Sequence, residues 1–375
     1  MKSMLALPAL EMRHENAPYT TEDFGVNPLM FYYETTQSCD LVCKHCRASA
    51  QENAAPDELS TELSLKLIDQ VATFPRKPTM VFTGGDPLKR ADLFTLIQRA
   101  VENGITTALT PSATPLATFD ALKKAKQAGI GALGISLDGP DARVHDAFRG
   151  FDGSFERTLE MLKNGRELKL PVQVNTSLTV RNYELIDEIA ELLATQGIMM
   201  WSVFFLVPVG RGIEEQRIAA KDYEKVFAKL WHHARTKPFA VKTTEAPHYR
   251  RYVLEHGGNP LAGPKEHENE ASMHRGRSHR APLGITDGRG IMFVGHNGEI
   301  FPAGFLPISC GRFPMNSVIE VYQNHPLFNN LQNPDTYHGI CGKCEFRSVC
   351  GGSRARAFAI TGDPLGAEPD CLFET

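Results

Sequence analysis

The sequence lacks a hydrophobic run long enough to cross a bilayer. Its longest apolar stretch, residues 198–209, is shorter than the ~20 residues that a transmembrane helix needs. Positive charge is not in excess either, because 40 Lys and Arg face 44 Asp and Glu, which argues against a nucleic-acid partner. Near the start only residues 5–10 are apolar, and charged residues follow at once, unlike a secretory signal. We therefore expect a cytoplasmic protein with no membrane partner.

Cysteine is missing over most of the chain. None stands between residues 47 and 309, whereas three crowd at Cys39, Cys43 and Cys46, and Cys310 stands alone. Four more lie near the end, at Cys341, Cys344, Cys350 and Cys371. Secreted disulfide frameworks are usually short chains with cysteines spread throughout, while clustered thiols in a reducing cytosol are typical of metal ligands. The sequence therefore predicts two metal-binding clusters rather than disulfides.

Short β-rich runs alternate with amphipathic helical patterns from residue 30 to about 207, which indicates βα units around a parallel sheet. Six strands are predicted, at residues 30–36, 79–83, 106–110, 132–137, 172–178 and 199–207. Periodicity alone leaves open a doubly wound sheet or an incomplete barrel. In both, ligands gather at the carboxyl ends of the strands. The fold class is therefore α/β.

The rest of the chain divides into shorter segments. Residues 1–27 form an N-terminal extension, 28–235 the α/β core, 236–288 a loop-rich basic connector and 289–375 a second, smaller α+β unit. In that unit, residues 291–294 and 300–301 flank the turn formed by His296, Asn297 and Gly298, which predicts a β-hairpin.

The first cysteine cluster has the spacing CxxxCxxC, with Cys39, Cys43 and Cys46 directly after the first strand. Three thiolates on one loop can bind three irons of a cubane cluster and leave the fourth open for a small molecule. A structural zinc ion is the alternative, and it would need His45 as a fourth ligand although His45 is squeezed between two of the cysteines.

These features resemble the radical S-adenosylmethionine superfamily, whose members carry this cysteine triad after strand one of a partial (β/α)6 barrel. The resemblance implies a catalytic [4Fe–4S] cluster on the triad and S-adenosylmethionine as cosubstrate. Gly84, Gly85 and Asp86 stand where that superfamily has a GGE-type motif for the methionyl amino group. Because Asp is one methylene shorter than Glu, only the glycine backbone contacts carry over directly. A plain strand-to-helix turn is the alternative.

Further polar residues fall at later strand ends. The resemblance implies that Ser136, Asn175 and the loop 207–212 contact the ribose, carboxylate or adenine of the cosubstrate. Ser112, Asp138 and Ser177 occupy similar positions. Each of these could equally be a turn former or a hydrogen-bonded core residue.

The second cysteine cluster, C-x2-C-x5-C-x20-C, offers four ligands through Cys341, Cys344, Cys350 and Cys371. It resembles the SPASM/twitch domains that carry auxiliary [4Fe–4S] clusters, with a zinc ribbon as the alternative. The chain departs from the full SPASM pattern, because Ala303 and Arg354 stand at positions where cysteine is common. One auxiliary cluster is therefore expected. Cys310 is left over, as a buried thiol, a remnant of the fuller pattern or a substrate-side group, and the buried thiol is preferred. Arg354 and Arg356 are either anion contacts or an ordinary helix start.

Within the superfamily, the residues around Cys341–Cys350 and Cys371 resemble the branch of heme-modifying enzymes that serves heme d1 and the alternative heme pathway. The resemblance implies hydrogen abstraction from a tetrapyrrole, an oxidoreductase activity, and a reductant such as flavodoxin or ferredoxin. The basic connector suits a polycarboxylate, because arginine binds carboxylates in bidentate fashion; otherwise it is a solvated loop. The candidates there are Arg250, Arg251, Arg275, Arg277 and Arg280.

Two other functions remain open. Many SPASM relatives mature ribosomally made peptides, although residues 1–27 are too few for a winged-helix domain that binds a leader peptide. A non-catalytic iron–sulfur or zinc interaction protein is the third possibility, and the open triad with its GGD turn argues against it.

Overall fold

The structure is a computed structural model, and it describes residues 19–262 and 282–373. Within these ranges no helix has the length and apolar character that crossing a membrane requires. The strands are β1 (Met30–Glu34), β2 (Thr79–Thr83), β3 (Thr107–Leu109), β4 (Ala132–Ser136), β5 (Val172–Leu178), β6 (Met200–Phe205), β7 (Ala240–Thr244), β8 (Ile291–Val294), β9 (Glu299–Phe301) and β10 (Gly311–Arg312). The helices are α1 (Thr61–Val71), α2 (Leu93–Glu102), α3 (Phe119–Ala128), α4 (Ala142–Arg149), α5 (Ser154–Glu167), α6 (Ile186–Ala194), α7 (Ala220–Thr236), α8 (His248–Glu255), α9 (Val318–Asn324), α10 (Pro326–Gln332), α11 (Gly339–Lys343) and α12 (Arg354–Thr361).

The helices of the α/β part have well-formed ends. The side chain of Thr118 accepts a hydrogen bond from Ala121 N at 3.1 Å and starts α3, and Gly129 ends it with φ +109°. Asp141 starts α4 in the same way, with Gly150 at its end. Such caps satisfy backbone groups that the helix itself leaves unpaired.

The strands from β1 to β7 lie side by side in chain order and all pair in parallel. A doubly wound sheet reverses its strand order at one point, whereas the order here is sequential. The strand order therefore excludes the doubly wound sheet and agrees with the incomplete barrel. In a flat sheet β6 and β9 would lie roughly 34 Å apart at the usual strand spacing. Yet Phe204 of β6 packs on Phe305, four residues beyond β9, with ring centroids 6.2 Å apart. The sheet must therefore curl into a partial barrel.

The six strands predicted from the sequence are all present, with ends shifted by at most two residues. The expectation of a loop-rich connector at 236–288 is wrong for its first half, which forms β7 and α8. The strand was missed because its sequence AVKTT is short and polar, with no buried apolar face in the partial barrel. Residues 263–281 of the connector lie outside the described residues.

The two faces of the sheet differ in polarity, as β5 illustrates. Val174 and Thr176 point outward and are buried, whereas Asn175 and Ser177 between them are partly exposed on the other face. Since side chains alternate along a strand, the outward set packs under the helices. We call the opposite set, which faces the space enclosed by the curled sheet, the inner face.

The C-terminal part continues the same sheet. Strand β8 pairs in parallel with β1, and the predicted hairpin is confirmed by the antiparallel pairing of β8 with β9. The turn between them uses Gly298 at φ +86°, a conformation that favours glycine. The sheet order is therefore β10-β9-β8-β1-β2-β3-β4-β5-β6-β7.

A buried ionic network joins the C-terminal helix α12 to the barrel. The guanidinium of Arg356 is fully buried and contacts the carboxylates of Glu368 at 3.1 Å and Asp370 at 3.2 Å. The same group donates to the carbonyl oxygen of Phe205, the last residue of β6, at 3.2 Å and to that of Glu245, just after β7, at 2.6 Å. Its charge therefore ties three separate segments together.

Replacing Arg356 should destabilise the fold strongly. Arg356→Met leaves the buried Glu368 carboxylate without a counter-charge, while Asp370 keeps its ion pair with Arg217, so we expect a loss of about 3–5 kcal/mol in the free energy of unfolding. Urea denaturation of anaerobic protein with matched iron content measures it. Arg143→Met is the control, because that side chain is 85% exposed and should change stability by less than about 0.5 kcal/mol. Equal midpoints for the two variants would contradict a supporting role for Arg356.

Candidate functional site

The first three cysteines lie on the loop that follows β1. Cys39 and Cys43 are buried and Cys46 is partly buried. N–H groups point at their sulfurs: Leu41 N lies 3.4 Å from Cys39 Sγ, and Ala50 N lies 3.5 Å from Cys46 Sγ. Such donors stabilise a thiolate, which is the form that ligates metal. The triad therefore has the surroundings of a ligand set.

Cys43 has a charged neighbour instead. Burial raises the pKa of Cys43 to about 11, and the guanidinium of Arg149, with Nη1 3.8 Å from Sγ, opposes that rise. Arg149 itself is held by a 2.6 Å ion pair with the fully buried Asp138. The sequence indicated Asp138 as a strand-end residue, but nothing in the local pattern pointed to Arg149, since α4 brings it back to the loop.

The donor set fits a cubane cluster better than one zinc ion. A structural zinc site takes four ligands at one centre, whereas a cubane binds each of three thiolates at a separate corner and leaves the fourth iron open. His45, the fourth zinc ligand considered above, stacks on Phe148 with ring centroids 4.3 Å apart. Three thiols with no fourth ligand suit a cluster with one open iron.

Gly84 and Gly85 let the end of β2 lie directly against this loop. A Cβ on Gly84, which has φ +148°, would sit 2.3 Å from the carbonyl oxygen of Thr36. Gly85 N donates to the same oxygen at 2.8 Å, and Asp86 N donates to Ser38 O at 2.7 Å. The glycines are thus required for close backbone approach, and their contact with a cosubstrate stays a prediction.

Asp86 has a supporting position. Its side chain is fully buried and accepts hydrogen bonds from Leu88 N at 3.1 Å, Ser112 N at 3.3 Å and Thr114 Oγ1 at 2.6 Å. Burial raises the pKa of Asp86, and the hydrogen bond from Thr114 opposes that rise. Ser112 also donates to Gly85 O at 2.8 Å. The carboxylate therefore holds the glycine turn to the loop after β3.

Ser136 and Asn175 share one row of the inner face with two residues that the sequence did not indicate. In the parallel register Ser136 faces Asn175, Asn175 faces Ser202, and Ser202 faces Lys242. Gly134, two residues before Ser136, leaves no room for a side chain, since a Cβ there would lie 2.8 Å from Thr110 Oγ1 and 3.4 Å from Asn175 Nδ2. Lys242 was missed because it belongs to the unrecognised strand β7.

The loop 207–212 packs on the cysteine loop. Gly210 has φ +55°, and a Cβ there would lie 2.3 Å from the carbonyl oxygen of Arg47. The guanidinium of Arg211 donates to Cys43 O at 2.9 Å and to Ala50 O at 2.7 Å. This part of the loop thus braces the cysteines, and the expected contact with adenine or ribose stays a prediction.

A second brace on the same loop escaped the sequence analysis. Glu34, at the end of β1, forms a 2.8 Å ion pair with Arg47 and a 2.8 Å contact with His296. The guanidinium of Arg47 also lies 4.4 Å from the ring centroid of Phe293 in β8. The Glu34 carboxylate accordingly links the cysteine loop to the C-terminal hairpin across more than 240 residues of sequence, a contact that no local pattern could indicate.

The four C-terminal cysteines line one small cavity. Its wall includes Cys341, Cys344, Cys350 and Cys371. Gly352 N lies 3.4 Å from Cys350 Sγ, and Glu368 N lies 3.3 Å from Cys341 Sγ. Burial raises the pKa of Cys350 to about 12, with the Gly352 N–H and then Arg250 opposing it. Four thiols around one cavity, with N–H donors, fit a fully ligated cluster.

The arginines near this cavity already bind groups of the protein itself. Arg354 Nη2 lies 3.6 Å from Cys341 Sγ, and Arg356 binds Glu368, so both are buried rather than part of a solvated helix start. Arg250 donates to Val349 O and Ile285 O, and Arg251 pairs with Glu224 and Glu255.

Arg250 and Arg251 are consequently not the free loop cations that the connector suggested; they lie on α8 with their donors used. Arg275, Arg277 and Arg280 lie outside the described residues. Cys310 is a buried thiol in the hydrophobic core, as expected, and burial raises its pKa to about 12.

Comparison with known proteins agrees with this geometry. The family model of the Radical SAM superfamily matches residues 33–195. The AdoMet-dependent heme synthase of Nitratidesulfovibrio vulgaris is 35% identical over 96% of both chains. That of Methanosarcina barkeri is also 35% identical, over 92% of this chain and 97% of the relative.

Solved structures share the fold. The crystal structure of SuiB from Streptococcus suis bound to S-adenosylmethionine has a TM-score of 0.68, with 17% identity over 93% of this chain and 78% of that one. The same protein bound to its precursor peptide SuiA has a TM-score of 0.67, with 18% identity over 93% and 76%. At such identities the likeness concerns the fold alone. With the full-length similarity to the heme synthases, it leads to one conclusion: the chain belongs to the radical SAM superfamily and is an enzyme of that superfamily.

Proposed function

We propose that this enzyme modifies a carboxylate-bearing tetrapyrrole in heme formation, as the names of its relatives suggest. The observation that carries the proposal is the 35% identity to AdoMet-dependent heme synthases, which extends over 96% of the chain. The sequence resemblance to the heme d1 and alternative heme branch agrees with this assignment.

In this proposal Cys39, Cys43 and Cys46 hold a [4Fe–4S] cluster with one open iron. When bound, the cluster supplies the electron that splits S-adenosylmethionine into methionine and a 5′-deoxyadenosyl radical, which removes a hydrogen atom from the substrate. The chain's own residues position the reactants: the Gly84–Gly85 turn and the row with Ser136 and Asn175 hold the cosubstrate. The curled sheet limits access of water to the enclosed space.

The four C-terminal thiols would hold an auxiliary [4Fe–4S] cluster. Four protein ligands leave no open iron, so this site would transfer electrons rather than bind the cosubstrate. A low-potential one-electron donor such as flavodoxin or ferredoxin would reduce the protein, in the cytoplasm. The barrel would extend over residues 28–235 and the auxiliary domain over 289–375.

Peptide maturation is the second candidate function. It is supported by the shared fold of SuiB, which has been crystallised with its precursor peptide, but the identity there is only 18%. The similarity to heme synthases is about twice as high, so the tetrapyrrole is preferred.

The open-iron proposal predicts that Cys43→Ala abolishes formation of 5′-deoxyadenosine. With only two thiolates left, the cluster loses a corner ligand, and iron content should fall by about four per chain from about eight. Anaerobic assays with dithionite and S-adenosylmethionine measure both quantities. Cys310→Ala is the matched control, because Cys310 is a core thiol apart from either cluster. Undiminished 5′-deoxyadenosine formation in Cys43→Ala would refute the proposed ligand.

The auxiliary site predicts a different outcome for Cys344→Ala. Production of 5′-deoxyadenosine without substrate should persist, because the triad is intact, while tetrapyrrole product falls at least tenfold. Chromatography of both products on one sample gives the comparison. An unchanged product yield would instead assign the C-terminal thiols a purely structural role.

The glycine turn supplies a third test. In Gly84→Ala the added Cβ collides with Thr36 O, so the loop must shift and affinity for S-adenosylmethionine should fall at least tenfold. Gly153→Ala controls for backbone strain, since Gly153 also has a positive φ (+81°) but no atom within 4 Å of its Cβ position. It should cost only ~1–2 kcal/mol of stability and leave affinity unchanged. Equal affinities in both variants would argue against the turn as part of the cosubstrate site.

A further inference from the structure

Lys242 occupies the edge of the polar row on the inner face of the barrel. It pairs in register with Ser202, which pairs with Asn175, so all three side chains leave the sheet on the same side. Two strand spacings separate Lys242 from Asn175, or about 10 Å. The lysine is therefore placed beside the proposed cosubstrate residues rather than on the outer surface.

Its ammonium group has no counter-charge. Among the described residues no carboxylate forms an ion pair with Lys242, whose side chain solvent can reach from the enclosed space although protein surrounds it. Three arginines near the two cysteine sites are engaged instead: Arg47 with Glu34, Arg251 with two glutamates, and Arg250 with backbone oxygens. A charge without a counter-charge inside a protein is unfavourable, unless a bound ligand supplies the opposite charge.

Two ionisable groups of the barrel, Glu245 and Tyr32, carry no negative charge at neutral pH. Glu245, three residues on, is held neutral, because burial and then the nearby Asp287 raise its pKa well above the usual range. Across the barrel, burial raises the pKa of Tyr32 to about 12, so its hydroxyl stays protonated. Burial and then Arg250 lower the pKa of Lys242 to about 8, which leaves it mostly charged at neutral pH.

Lys242 is linked to the C-terminal cysteines through Arg250. The charge of Arg250 acts on Lys242 and on Cys350, and its guanidinium donates to the carbonyl oxygen of Val349, the residue before Cys350. On the other side, the row of Ser202, Asn175 and Ser136 runs from Lys242 toward the proposed cosubstrate site. A substrate held at Lys242 would extend along this row toward that site.

We propose that Lys242 binds a carboxylate of the tetrapyrrole substrate on the inner face of the barrel and so positions the macrocycle between the two cysteine sites. The inference rests on the proposed function and adds the residue that anchors the substrate. It assigns the lysine to the substrate carboxylate and not to the carboxylate of S-adenosylmethionine.

The test compares Lys242→Met with wild type in anaerobic titrations. The probes are iron coproporphyrin, a polycarboxylate porphyrin, and its methyl ester, with binding followed by absorbance. We expect Lys242→Met to bind the acid roughly 10–100-fold more weakly, as expected for loss of a partly buried charge pair. Esterification should weaken wild-type binding by a correspondingly larger factor than it weakens binding to Lys242→Met. Lys242→Arg, which keeps the charge, should recover part of the affinity.

Controls separate the possible failures. Lys225→Met removes a lysine from the outer helix α7, where the side chain is 77% exposed, and should bind like wild type. Affinity for S-adenosylmethionine and 5′-deoxyadenosine formation without substrate should be unchanged in Lys242→Met. If wild type binds the acid and Lys242→Met binds it equally well, the anchor is refuted while the proposed function stands. If wild type does not bind the acid, the proposed function itself fails. Selective loss of S-adenosylmethionine binding would assign Lys242 to the cosubstrate and overturn the inference.

Discussion

The cysteine loop depends on backbone-to-backbone contacts that leave no room for a side chain. Gly84 and Gly85 bring the end of β2 against Thr36, Gln37 and Ser38, and Gly210 brings a distant loop against Cys46 and Arg47. Contacts of this kind fix a loop more rigidly than side-chain packing, because backbone atoms cannot change rotamer. A thiol triad that must bind a cluster at three corners needs such rigidity, since unsupported loop sulfurs would move independently of one another.

The charged residues around this loop extend the same constraint to the rest of the chain. Arg149 is held by Asp138, Arg47 by Glu34, and Arg356 by Glu368 and Asp370. Each pair is largely buried, and its partners lie only 11 to 14 residues apart in sequence. Such pairs contribute little net stability compared with apolar packing, yet breaking one is costly, so they favour one arrangement over its alternatives. The longer connections come from further contacts of the same residues: Glu34 also contacts His296, and Arg356 also donates to the carbonyl oxygens of Phe205 and Glu245.

Much of the fold could be predicted from the sequence, because strands buried on their outer face carry apolar residues in alternation. The strand at residues 172–178 matched to the residue, and the hairpin after Ile291 followed from its turn. The strand Ala240–Thr244 could not be predicted, since it has no buried residue and carries Lys242 in its centre. The sequential strand order could not be predicted either, because the periodicity of apolar residues cannot distinguish one curled sheet from a doubly wound one. At the site, cysteine spacing indicated the ligands, whereas Arg149, Arg211 and His296 reach it only through tertiary contacts.

The two cysteine sites differ in the number of thiols that they offer, and this difference bears on their chemistry. Their sulfurs have similar neighbours, because a guanidinium and two backbone N–H groups approach the triad and the same kinds of group approach the C-terminal four. Hydrogen bonds to sulfur and nearby positive charge stabilise the reduced state of a cluster, so these neighbours shift both reduction potentials in the same direction. Coordination is what separates the sites: three thiolates would leave one iron of a cubane open for a cosubstrate, whereas four would leave none. The C-terminal site is therefore suited to electron transfer and the triad to the binding of a small molecule.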